Sequence, residues 1–139
     1  MNVSRRKISV LAPYKVEEGS VSIFLQKRSK DAKRAPGLFG FFGGGADEGE
    51  TAEQALLREI KEELDIEIKD FSFFNRYETF YNLVSLFTMQ VDDNFEKEVT
   101  VLEGDYGKWF DRDSFSKEGK IIEGDVPILE ELYERLSKD

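Results

Sequence analysis

GGADEGETAEQALLREIKEELDI, running from Gly44 to Ile66, decides the reading of this chain. Its first part is a glycine-rich bend and its second is a helix. Leu56, Ile60 and Leu64 recur every fourth residue with Ala52 and Leu57 at the flanks, so an amphipathic helix is predicted from about Thr51 to Leu64. Thr51 followed three residues later by Gln54 suits a capping box, with Glu50 as the alternative cap. On that helix Glu59, Glu62 and Glu63 stand at i, i+3 and i+4, so three carboxylates project from one side. At about 100° per residue their centre lies roughly 120° around the axis from the apolar stripe, and Glu63, nearest the stripe, is expected to be desolvated. An unpaired carboxylate there is costly, and a bound cation relieves the cost. Repulsion between Glu59 and Glu63 in a bare helix amounts to only about 0.2–0.5 kcal/mol, so energy alone does not separate a metal site from a solvated acidic face.

Oxygen-only ligands on a rigid helix suit Mg²⁺, with Mn²⁺ as substitute, because these ions retain waters and bridge to substrate phosphates. A water deprotonated by a nearby Glu then becomes a nucleophile on phosphorus. Without side chains at Gly43, Gly44 and Gly45, the backbone can approach a metal and a diphosphate closely.

Composition removes the competing chemistries. The chain has no cysteine and no histidine, which excludes disulfides, thiolate and imidazole metal sites, thiol nucleophiles and Ser-His-Asp triads. A formal charge of −9 over 139 residues argues against stable nucleic-acid binding, which draws on a basic surface. Free nucleotides stay compatible, since a divalent ion reverses the local sign. Lys27, Arg28, Lys30, Lys33 and Arg34 nevertheless cluster just before Pro36-Gly37, either as a charge-balancing loop or as a phosphate-contacting edge. The stretch Met1 to Val10 is too short in apolar run for a signal peptide and no later stretch reaches membrane-spanning length, so a soluble cytoplasmic protein without membrane contact is expected.

The stretch from Gly44 to Ile66 resembles the Nudix box, G-x5-E-x7-R-E-U-x-E-E-x-G-U with U aliphatic. Gly44, Glu50, Arg58, Glu59, Ile60, Glu62, Glu63 and Ile66 match it in register, and Asp65 stands where the pattern has glycine. At average residue usage a chance match to the non-aliphatic positions is on the order of 10⁻⁶ per start point. The run Pro36 to Gly45 and the pair Trp109-Phe110 also resemble family features. The resemblance implies a Mg²⁺-dependent hydrolase of a nucleotide-like diphosphate substrate, with Glu59, Glu62, Glu63 and Arg58 in catalysis. It implies Glu59, Glu63 and the Gly44 carbonyl as metal ligands, Glu62 as a further ligand or base, Glu59 as general base, and Glu50 and Arg58 in structural roles, with Arg58 orienting the carboxylates. A further acid often completes such a site; Glu98, Glu103 and Asp105 are candidates and Glu103 is preferred. For substrate contacts Arg28, Arg34, Gly43 and Gly45 are the candidates, with Phe39 and Tyr81 to stack a base. Nucleoside triphosphates, nucleotide sugars and dinucleoside polyphosphates all fit. The alternative is a nucleotide-binding regulatory module without turnover.

Outward from the box, Ile8–Tyr14 and Val21–Gln26 read as a hairpin around Glu17 to Ser20, and Gly37 to Gly49 as a loop. Ile66–Tyr77 and Phe80–Val91 read as two long strands, Glu98–Leu102 and Lys108–Phe110 as shorter ones, and Val126–Leu136 as a second amphipathic helix. The aromatics, Trp109 included, are mostly assigned to the core. The fold class expected is α/β (α+β), with a mixed β-sheet sandwiched between α-helices in one domain spanning residues 1–139, as a monomer or homodimer.

Overall fold

The computed structural model describes residues 5–137; the Met1 to Ser4 part of the N-terminal stretch lies outside them. The strands are β1 (Arg6–Glu17), β2 (Ser20–Lys27), β3 (Phe39–Gly40), β4 (Phe42–Gly45), β5 (Ser72–Glu78), β6 (Asn82–Gln90) and β7 (Tyr106–Asp111). The helices are α1 (Ala52–Leu64), α2 (Phe95–Glu98), α3 (Arg112–Lys117) and α4 (Val126–Leu136), with a 3₁₀ turn at Glu123–Asp125. All strands join one mixed sheet with the path β3-β2-β1-β6-β5, to which β4 adds beside β1 and β7 beside β2. The sheet lies between α1 and α4, as the sequence pattern predicts.

Period-two alternation divides the apolar residues between the two faces. Leu11, Phe24, Phe42 and Phe87 pack with Leu56, Ile60 and Leu64 of α1. Val10, Ala12, Ile23, Leu25 and Leu86 pack with Leu129, Leu132 and Tyr133 of α4. Tyr133 is anchored there by donating its hydroxyl to the Phe110 carbonyl.

Three elements differ from expectation. Gly37 to Gly49 is not a free loop. The diverging β1 and β2 leave a wedge that β3 and β4 fill, and Gly43, Gly44 and Gly45 pair antiparallel with Val10, Ser9 and Ile8. The glycines are therefore held as strand. Glu98–Leu102 is not a strand either: α2 ends at Glu98, and the following N–H groups of Thr100 and Leu102 donate to the carbonyls of Leu64 and Glu63. That segment satisfies the open carbonyls of the α1 C-terminus instead of pairing with the sheet. Ile66 to Phe71 also stays outside the sheet, because Asp65 and Asp70 both turn the chain through positive φ.

The α1 boundaries follow local chemistry. Thr51 is the N-cap, and its hydroxyl and the Gln54 side chain complete a reciprocal capping box. Asp65 closes the helix in the left-handed conformation, φ 53° and ψ 41°, the geometry for which the glycine in the box pattern is suited. Among the described residues no helix is long and apolar enough to cross a membrane.

Candidate active site

The acids Glu59 and Glu63 and the glycines beside them are positioned by two pieces, the last two turns of α1 and the strand β4 that faces them. Glu63 points inward from the edge of the apolar stripe and is 2 % exposed. Its Oε1 accepts the Gly43 N–H at 2.6 Å, and Gln26 Nε2 approaches Oε2 at 3.4 Å. The same Gln26 amide donates to the Glu103 carbonyl at 2.9 Å, tying the 103 segment to the floor of the site. Glu59, one turn earlier, lies against Gly44 so closely that a Cβ there would stand 2.6 Å from its carboxyl carbon. Only glycine fits this position beside an undisplaced Glu59.

Arg58 organises the acids around it. Its Nε and Nη2 each donate to Glu50 at 2.9 Å, Nη2 also reaches the Gly45 carbonyl at 2.9 Å, and Nη1 reaches Glu59 Oε1 at 3.0 Å. The fork thereby joins the loop before α1, β4 and the helix itself. Contact with Arg58 holds the Glu50 carboxyl down at about 2, well below the usual range. Arg58→Ala is expected to destabilise the fold, because it leaves Glu50 with only the Asp47 N–H and the Gly45 carbonyl without this donor. Arg58→Lys is expected to recover only part of that, since an ammonium cannot span the same acceptors; urea denaturation of the three proteins measures both.

A cavity of about 580 Å³ opens over these groups. Its acidic floor is Glu59, Glu63 and Glu103, its basic rim is Arg6, Arg28, Lys33 and Arg34, and Ile8, Val10, Phe41 and Ile122 form an apolar wall. Burial raises the Glu63 carboxyl to about 8 against the opposing Gly43 N–H, with Glu103 and Glu59 adding repulsion. Burial also raises Glu59, against Arg58. On the rim, burial and then the neighbouring Arg34 lower the Arg6 guanidinium. Three acids and four cations thus line the same cavity, with Arg6 near enough to Glu59 to feel its charge.

Of the residues the sequence nominates, Glu59, Glu63, Glu103, Gly43, Gly44, Gly45, Arg28 and Arg34 line this cavity. Glu98 and Asp105 do not. Glu62 is half exposed and turned to Arg58 Nη1 at 3.3 Å, so it stands beside the floor rather than on it. The two stacking candidates need correction. Phe39 is 3 % exposed and packs edge-on to Phe110 in the α4-side core, because β3 holds it in the sheet. Tyr81 is 69 % exposed at the β5–β6 turn and packs on Phe80, away from the cavity wall. The aromatic on the wall is Phe41, which falls between β3 and β4 and faces the opposite way from Phe42.

Sequence reading did not nominate Arg6, Gln26 or Asp125. Arg6 and Gln26 carry no motif and reach the site only through strand pairing. Asp125 sits partly buried behind the Phe41–Ile122 wall, where burial lifts its carboxyl from 3.8 to about 6 despite an N–H from Phe41 and the attraction of Arg28. A carboxyl raised in the folded state binds its proton more tightly there, so its ionisation costs stability as pH climbs through the window from about 4 to about 6. Asp125→Asn is expected to stabilise the fold by about 1–2 kcal/mol at pH 7, with the gain fading as pH falls from about 6 to about 4 and absent below that, as read by urea melts across that range.

The donor set fits a hard divalent cation. It consists only of oxygens, one carboxylate is almost fully desolvated, and the Gly44 cradle leaves space against Glu59 that any side chain would fill. Among the described residues the acids are not already drawn around a common point. Glu59, Glu63 and Glu103 share one cavity without touching, as mutually repelling groups do.

Residues 5–132 match the NUDIX domain family. The chain is 38% identical over 89 residues to the 8-oxo-dGTP diphosphatase of Escherichia coli (strain K12), covering 63% of this chain and 67% of that one. Among solved structures, one from work on MutT of Aliivibrio salmonicida and Vibrio cholerae superimposes with a TM-score of 0.76 at 21% identity, over 95% of this chain and 99% of the other. The NUDIX domain of Shewanella oneidensis NrtR complexed with ADP ribose superimposes with a TM-score of 0.75 at 16% identity, over 97% and 90%. At those identities the two superpositions establish the fold.

Proposed function

We propose, from the premise that this chain belongs to the Nudix family and is a pyrophosphohydrolase, that it splits the diphosphate linkage of a purine nucleoside triphosphate in a Mg²⁺-dependent reaction. The observation that carries this reading is the single cavity lined by three carboxylates, by four Arg and Lys side chains and by an apolar patch. A nucleotide polyphosphate matches that lining: its phosphates need both cationic partners, and its base needs the apolar patch. The E. coli relative's printed activity on 8-oxo-dGTP nominates an oxidised purine as the first substrate to try.

Nudix hydrolases generally use divalent metals. Here Glu59, Glu63, Glu103 and the Gly44 carbonyl would hold Mg²⁺, which when bound neutralises phosphoryl oxygens and acidifies water. The chain's own groups supply the rest. Arg28, Lys33, Arg34 and Arg6 bind and orient the phosphates and offset the charge that develops on the leaving group. Arg58 occupies Glu59 Oε1 and so presents Oε2, which has no hydrogen-bond partner among the described residues, to take the proton of the attacking water. Glu62 steadies Arg58 from the solvent side. Phe41, Ile8 and Ile122 exclude water from the base.

A panel of canonical and oxidised nucleoside triphosphates, nucleotide sugars and dinucleoside polyphosphates, assayed with and without Mg²⁺, tests the reading. A purine triphosphate is expected to give the highest kcat/KM, with monophosphate and pyrophosphate as products. Preference for a nucleotide sugar would overturn the substrate class. Calorimetric binding without any product in Mg²⁺ or Mn²⁺ would establish the regulatory alternative instead.

A further inference from the structure

Beneath the N-terminus of α1, on the sheet face away from the Arg-rich rim, lies a second cavity of about 210 Å³. It is lined by Lys7, Ser9, Glu50, Thr51, Ala52, Arg76 and Ser85 among others. Strand register explains its polarity. Ser9, Ser85 and Arg76 are aligned abreast across β1, β6 and β5. They occupy the row next to Leu11, Phe87 and Phe73, where the apolar packing against α1 ends. Ser9 spends its hydroxyl on the Ala52 carbonyl at 2.7 Å. Ser85 is 6 % exposed, lines the cavity, and has no side-chain hydrogen-bond partner among the described residues. The residue is packed but its hydroxyl opens into the cavity, so a partner for it comes from whatever fills that space.

The surrounding charge selects the kind of partner. Lys7 and Arg76 flank the opening. The one acid on the lining, Glu50, is already held by both donors of the Arg58 fork. Of the first-turn N–H groups of α1, those of Gln54 and Ala55 are taken by Thr51, while those of Ala52 and Glu53 have no acceptor among the described residues. A helix of this length presents its positive end there. We propose that this cavity is a binding site for a phosphate-class oxyanion, either free orthophosphate or a phosphate monoester, held by Ser85, Lys7, Arg76 and the Ala52 and Glu53 N–H groups. It is separate from the cavity over Glu59 and Glu63, and it rests on the opposite end of the same helix.

The test is amide NMR of the full chain at constant ionic strength, titrated with orthophosphate, a simple sugar phosphate, or chloride. Saturable shifts at Ala52, Glu53 and Ser85 with one of the two phosphates and not with chloride are expected. Whichever phosphate saturates at lower concentration identifies the source. Arg76→Ala, an exposed change that leaves the core intact, is expected to weaken these shifts about fivefold, and Ser85→Ala to weaken them as well. Arg34→Ala, on the catalytic rim, is expected to leave them unchanged. Absence of saturation at those amides, equal response to chloride, or indifference to Arg76→Ala would each show a water-filled cavity and overturn the proposal.

Discussion

Glu63→Gln is expected to lower kcat by about 10²-fold or more while the protein stays folded. The fold survives because a Gln carbonyl still accepts the Gly43 N–H that Glu63 Oε1 accepts now, and because a neutral amide suits a site that is 2 % exposed and that already raises the carboxyl to about 8. Activity is not expected to survive, since Gln cannot ionise to supply the carboxylate that a bound cation would draw from Glu63 in the proposed reaction. Two measurements separate these effects. Steady-state kinetics should show the loss in kcat, with KM little altered. Thermal melts should show that Mg²⁺ stabilises the parent, by mass action on the folded state, and stabilises the variant much less. Unchanged turnover would remove Glu63 from the catalytic set.

The largest effect on folding is expected at Gly43. Its φ of +137° is strained for any other residue, and an added Cβ would sit on the Ser9 carbonyl oxygen and 2.7 Å from Val10 Cα. Those atoms belong to β1, which is held from one side by β4 and from the other by β6, so neither can retreat. Gly43→Ala is expected to cost more than about 4 kcal/mol and to leave little folded protein, as read by circular dichroism and urea denaturation. Gly44→Ala makes the instructive contrast. There the added methyl meets the end of the Glu59 side chain, which can swing away, so the fold should persist while turnover falls. A well-folded Gly43→Ala protein would mean that the β4 backbone is not held as described.

The pattern of what was legible in the sequence has physical reasons. The α1 helix, its cap at Thr51 and its end at Asp65 are local events, written in spacing within a few residues, and they were readable. So was the burial of Glu63, which follows from its angle to the apolar stripe. The α4 boundaries agree with the pattern from Val126 to Leu136 for the same reason. Gly37 to Gly49 was misread because its glycines look like loop chemistry, whereas the wedge between β1 and β2 makes strands of them. Phe39 is not exposed for stacking because pairing of β3 with β2 packs it edge-on to Phe110, whereas Phe41, two residues on and on the same face, reaches the cavity. Arg6 and Gln26 were invisible because their approach to the site depends on pairing between distant strands, and Asp125 because it is buried against the Phe41 backbone, which lies far away in the sequence. Glu103 is one of three candidates in the sequence, and what separates it from Glu98 and Asp105 is that it lines the cavity, where Gln26 donates to its carbonyl and the N–H of Leu102 donates to the Glu63 carbonyl.

The parallel pairing of β1 with β6 has a kinetic meaning. Register runs from Arg6 with Asn82 to Tyr14 with Gln90, so the central ladder of the sheet can close only after the intervening chain has been gathered in. Loop-closure entropy must be met before those contacts return anything, which places this chain among the slower two-state folders, on the millisecond to second scale rather than the microseconds of helical bundles. Until that ladder zips, the hairpin of β1 and β2 exposes an apolar edge, and the refolding yield should therefore fall as protein concentration rises.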